Sequence, residues 1–147
     1  MHKKLVDTNI FIDRFADPDR FANIFTSDGV VFLSSVVLME LRAGAHSAPA
    51  IKAVDSIETF FKNVGRIITP QHADYRSAGQ ILARLQREKG FDLRKAASLA
   101  NDCLIAVSAR SVGARVITQN AKDFNAIADM LKVEVQIVTS CAAYSCE

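Results

Sequence analysis

The chain has no apolar run approaching the about 20 residues that cross a bilayer, no large excess of either charge, and no Pro/Gly/Ser-rich linker. Each absence removes a class. Nothing marks a transmembrane helix. The opening MHKKLVDTNIFID has two early lysines, as a secretory signal would, but Asp7, Asn9 and Asp13 break its apolar run, so it fails as a signal core. The net charge of +2, from 18 basic and 16 acidic residues, excludes a strongly basic or acidic tail. It leaves room for a locally charged site. Disorder is excluded too, because 50% of the residues are hydrophobic and only 23% charged.

Cysteine is scarce as well. Cys103, Cys141 and Cys146 are an odd count without C-x-x-C spacing. Cys103 lies in an apolar helical stretch and reads as core. A Cys141–Cys146 disulfide stays open, though a cytoplasmic chain with free thiols is the simpler expectation. His2, His46 and His72 are scattered, so zinc is not indicated. There is no P-loop, no G-x-G-x-x-G, no Ser-His-Asp constellation and no internal repeat. The expectation is a single domain over residues 1–147, long enough to bury roughly 68–70% of its unfolded surface.

Short β-branched runs alternate with longer helical patterns. Strands are predicted at residues 4–6, 30–33, 66–69, 115–118 and 135–138, with helices between them. Strands separated by helices imply parallel crossovers, hence a three-layer α/β/α domain on a central parallel sheet of about five strands. Ligands of such sheets sit outside the carboxyl ends of the strands. Polar residues there carry extra weight: Asp7 follows the first strand, and Asn120 and Asp123 follow the fourth.

Four carboxylates stand out. Asp7 either caps the following helix or opens a site, with Thr8 and Asn9 ready to orient it. Glu40 lies in SSVVLMELRAGA, a helix capped by Ser34 or Ser35, among apolar or small neighbours and with no obvious local cation. Asp102 falls within a nearly all-apolar helix predicted from Ala96 to Val112, where burial of an unpaired carboxylate costs several kcal/mol. A mid-helix aspartate there gains nothing from capping and violates local consistency, as functional residues do. Asp123 either caps a helix beginning near Phe124 or joins the others. Carboxylates that converge without cations repel, and hard divalent ions resolve that conflict; oxygen ligands favour Mg²⁺, with Mn²⁺ as substitute.

These residues carry a family resemblance. LVDTNIFID at 5–13, MELRAG at 39–44, NDCLIA at 101–106 and GARVITQNAKDF at 113–124 make the chain similar to PIN domains. Among these it resembles VapC-like ribonuclease toxins of toxin–antitoxin pairs. The resemblance implies metal-binding acids at Asp7, Glu40, Asp102 and Asp123, with Thr8, Asn9 and Asn120 supporting them. It also implies a five-stranded parallel sheet, a homodimer, and a cognate antitoxin whose tail blocks the cleft. Some relatives carry another carboxylate where this chain has Asn120, which bears on a second metal.

The expected chemistry is hydrolysis of an RNA phosphodiester by metal-activated water, with no separate histidine base. A basic segment containing Arg84, Arg87, Lys89, Arg94 and Lys95 offers a surface for the RNA backbone; a solvated helix face is the plainer reading. Competing assignments fare worse. An aspartyl-phosphate phosphatase would show D-x-D where Asn9 stands, and a Mg²⁺-binding receiver domain would place an aspartate where Thr69-Pro70 stands. A degenerate PIN binding module would have lost acids that this chain retains. A housekeeping PIN nuclease in RNA processing remains the alternative to a toxin. Setting the four acids aside turns the net +2 into +6 on the remaining chain, a basic body around an acidic pocket.

Overall fold

The computed structural model describes residues 2–139; Cys141 and Cys146, and any pairing between them, lie outside the described residues. The chain runs β1 (Lys3–Val6), α1 (Thr8–Ala16), α2 (Ala22–Thr26), β2 (Val30–Ser34), α3 (Ser35–Gly44) and α4 (Ala48–Asn63). It continues through β3 (Ile67–Ile68), α5 (His72–Lys89), α6 (Leu99–Ser111), β4 (Arg115–Thr118), α7 (Ala121–Ala128) and β5 (Val135–Ile137). All four strand pairings are parallel, in the order β3-β2-β1-β4-β5. This is the expected α/β/α architecture.

Parallel strands covered on both faces need apolar residues at successive positions, and here they have them. Leu5, Val6, Leu33, Val116 and Ile117 are all buried. The central β1 is flanked by β2, with Leu5 opposite Phe32, and by β4, with Val6 opposite Ile117. From β1 the chain builds outward to β2 and β3, then returns to the other side for β4 and β5. The strand order therefore reverses between β1 and β4. Sheets of this kind bind ligands at the carboxyl ends where that happens, and Asp7 and Thr118 stand there.

The buried helix α6 packs against β1, β4, α3, α5 and α7, through Leu99, Cys103, Ile105, Ala106 and Ala109. Burial pushes the Cys103 thiol up to about 12, which keeps it protonated and inert, as a core cysteine. The helix starts three residues later than its apolar pattern suggests. Asp92 accepts the Arg94 N–H on its side chain and the Lys95 and Ala96 N–H groups on its carbonyl, holding that stretch in turns. β3 is likewise only two residues long before Pro70.

Candidate active site

Asp7 follows β1 directly, caps α1, and is at the same time a buried carboxylate at the carboxyl end of the sheet. Its Oδ1 accepts the Thr8 N–H at 2.8 Å. Its Oδ2 accepts the Thr118 hydroxyl at 2.7 Å and, more weakly, the Asn9 amide at 3.4 Å. Only 4% of its surface is exposed. Burial raises its pKa; the Thr118 and Thr8 hydrogen bonds pull it back, and the Glu40 charge adds to the rise.

Glu40 is half-buried on α3, which Ser34 caps by accepting the Val36 N–H. It has no cation beside it among the described residues, but it has a hydroxyl partner from α1. The Thr8 hydroxyl donates to its Oε1 at 2.8 Å while the Thr8 backbone N–H donates to Asp7, linking the first and second acids through one residue. Arg42 points away, as expected, and pairs with Asp55 and Glu58 of α4.

Asp102 requires a correction. Because α6 begins at Leu99, Asp102 lies in the first turn, its N–H bonded to the Ser98 carbonyl, and not in mid-helix. The helix N-terminus partly compensates its charge there. Compensation falls short. Burial, then the Asp7 charge, then a hydrogen bond shared with Asp123 and the Asp123 and Glu40 charges, push its carboxyl to about 9.

Asp123 is also not a cap. α7 starts at Ala121 and its N-cap is Asn120, whose Oδ1 accepts the Asp123 N–H at 3.3 Å. The Asn120 amide then donates to Asp102 Oδ2 at 3.2 Å and to Asp123 Oδ2 at 3.0 Å. One asparagine thus caps a helix and aligns two acids.

Two contributors escaped the sequence reading. Thr118 is fully buried; besides donating to Asp7, it accepts the Asn120 N–H at 3.0 Å. Gln119 donates from Nε2 to Asp13 at 2.9 Å and to the Asn9 carbonyl at 3.5 Å, tying the loop to α1. A β-branched residue at a strand end looks the same whether its hydroxyl works or not, so Thr118 left no signal. The basic segment, by contrast, is dispersed. Arg84 pairs with Glu88, Lys89 with Asp129 and Arg94 with Asp92, and Arg87 and Lys95 are exposed.

Among the described residues, none of the four acids forms an ion pair with a lysine or arginine, and no three acidic, histidine or cysteine groups stand ready-made as a metal cage. The donor set is nonetheless all oxygen, anionic, electrostatically coupled and without a balancing cation. Two carboxyls with raised pKa values are what such a set shows when only protons neutralise it. Those residues fit a hard divalent ion.

The PIN domain family matches residues 4–130. The chain belongs to that family. PIN domains in general work with divalent ions, and the coarse reading as a PIN-family nuclease stands on the match. Similar solved structures include a DNA-bound VapBC of Salmonella typhimurium, at 27% identity over 93% of this chain and 98% of that one, with a TM-score of 0.66. A VapBC-5 of the VapBC toxin–antitoxin family from Mycobacterium tuberculosis is 25% identical over 94% and 100%, at 0.59. VapBC2 of Rickettsia felis, bound to a promoter DNA fragment, shares the fold at 24% identity over 93% and 99%, at 0.68. No curated protein matches the chain. Among the described residues no helix is long and apolar enough to cross a membrane.

Proposed function

We propose that this PIN domain is a divalent-metal-dependent endoribonuclease, working in the cytoplasm as the toxin of a toxin–antitoxin pair. The observation that carries the reading is that the charges of Asp7, Asp123 and Glu40 all bear on the buried Asp102, while among the described residues no lysine or arginine pairs with any of the four. These four would hold Mg²⁺, or Mn²⁺ in its place. When bound, the metal supplies a more acidic water as nucleophile and offsets the charge of the scissile phosphate. Thr8 orients Glu40, Thr118 fixes Asp7, and Asn120 holds Asp102 and Asp123 at one spacing. Such prior alignment removes reorganisation from the reaction step.

The test is cleavage of single-stranded RNA by purified protein with Mg²⁺, with EDTA, and by Asp7→Asn. Expected are loss of cleavage in EDTA, recovery on adding Mg²⁺, and a fall of at least about 100-fold for the variant. Undiminished cleavage in EDTA would overturn the reading.

An antitoxin partner is supported by the surface beside the site. α1, α3 and α4 leave a groove of about 360 Å³ lined by Ile12, Phe15, Leu41, Ala45 and Val54, with Glu40 on its wall. Ile12 is 53% and Phe15 41% exposed. A peptide filling this groove would bury both apolar side chains and screen Glu40 in one act. Ile12→Lys should weaken capture by the product of the adjacent reading frame at least about tenfold while RNA cleavage persists. Co-expression would then fail to rescue growth, whereas rescue equal to wild type would count against the groove. The reading also carries over a homodimer, which light scattering on the purified chain would reveal as twice the mass of one chain.

A further inference from the structure

We infer that a small basic cavity beside the acid cluster is a nucleotide subsite, gripping the RNA strand next to the bond that is cut. The inference rests on the endoribonuclease reading and deepens it. The cavity, about 310 Å³, is formed by Lys89, Phe91, Asp92, Lys95, Ala96 and Lys122 with Gly90. Two chain segments bring these residues together. The first is the turn after α5, where Gly90 adopts φ +68° and the Phe91 N–H reaches back to the Leu85 carbonyl. The second is the first turn of α7.

Both segments lead into the site. Lys122 immediately precedes Asp123 on α7. Ala96 accepts the N–H of Leu99, which starts the helix whose first turn carries Asp102. The cavity is thus built on the same two segments that carry Asp102 and Asp123.

The chemistry of the walls selects the ligand. Asp92 is turned towards Arg94, and Lys89 is engaged by Asp129 at 2.6 Å. Lys95 and Lys122 have no carboxylate partner among the described residues. Lys122 Nζ lies 5.7 Å from the centroid of the half-buried Phe91 ring. Neither ammonium is spent on a carboxylate, and that of Lys122 lies over the Phe91 ring; a phosphodiester would draw Lys122 to its charge and leave the ring face to its base. The basic segment read from the sequence mixes Lys95 with cations that are tied elsewhere, and it omits Lys122 altogether.

The experiment measures binding of a fluorescein-labelled single-stranded oligoribonucleotide to the full chain carrying Asp7→Asn, so that cleavage does not intervene, across a salt series. Adding Lys95→Ala with Lys122→Ala should weaken binding about tenfold at 0.1 M salt. It should lower the slope of log Kd against log salt by about 1.4, at about 0.7 per phosphate contact on a single strand. Phe91→Leu should weaken binding about fivefold or more at every salt concentration, leaving the slope as it was. Thermal unfolding of each variant checks that the fold is intact.

The charge-matched control is Lys52→Ala with Lys62→Ala on α4, both exposed and distant in sequence from the cavity. It should change affinity less than about twofold and leave the slope unaltered. Equal slope changes in both double variants, or none in either, would overturn the subsite. Failure here with EDTA-sensitive cleavage intact removes the subsite alone. The expected slopes without any cleavage by the wild type remove the nuclease reading and leave a binding site.

Discussion

Asp102→Asn should yield a protein that is more stable than the wild type without metal and nearly inactive with it. The Asp102 carboxyl is raised from an ordinary 3.8 to about 9, chiefly by burial and the Asp7 charge. The folded chain thus binds a proton there that the unfolded chain releases. The contribution is complete below pH 3.8 and is lost progressively as pH rises to about 9. At pH 7 the accumulated cost is at most about 4 kcal/mol. Asparagine presents an oxygen to the Asn120 amide and an N–H to Asp123, mimicking the protonated acid without the titration. We expect a gain of about 1–3 kcal/mol at pH 7 in EDTA, or roughly 3–10 °C in Tm, growing between pH 5 and 8. Millimolar Mg²⁺ should stabilise the wild type and shrink the difference. RNA cleavage should fall at least about 100-fold. A variant less stable than wild type across that pH range would show that burial of the acid is not the cost we assign to it.

Thr118→Val should destabilise the fold and disable the site together, although it changes no charge and little volume. The hydroxyl donates to Asp7 and accepts from the Asn120 backbone in a fully buried position. Valine leaves Asp7 Oδ2 with only the long Asn9 contact and strands a backbone N–H. Unsatisfied buried groups of this kind cost about 1–3 kcal/mol, a fall of roughly 3–10 °C in Tm. The loss of alignment should lower kcat about 10- to 100-fold with less effect on KM. A pH profile separates this from loosening alone. The Thr118 hydrogen bond is the largest influence lowering the Asp7 pKa, so its removal should move the acidic limb of the profile to higher pH. Thr118→Ser should restore both limb and rate. An unmoved limb would reduce Thr118 to a packing role.

Much of this architecture was legible in the amino-acid order because local signals and global fold agree. The β-branched runs at 115–118 and 30–33 are strands, and Ser34 caps α3. Where boundaries moved, a side chain competed with the backbone: Asp92 holds residues 94–96 in turns and delays α6. That small shift matters, since it converts Asp102 from a mid-helix anomaly into a first-turn acid. The same competition made Asn120, and not Asp123, the cap of α7.

Glu40 and Asp102 stand out in the chain because each interrupts an apolar helical pattern where charge is costly, and Asp7 because it follows a strand directly; Asp123, in a polar loop, stands out only through the family resemblance. Their basic surroundings were recognisable only in total. Tertiary structure decided the rest. Thr118 meets Asp7 across 111 positions of sequence and Gln119 meets Asp13 across 106, contacts created by the parallel pairing of β1 with β4. It also decided which cations are spent in ion pairs and that Lys95 and Lys122, without a carboxylate partner among the described residues, line one cavity. Burial and periodicity are properties of a segment and can be read along it. A hydrogen-bond partner, a shared proton or a free charge is a property of two segments, and it exists only once the sheet has brought them together.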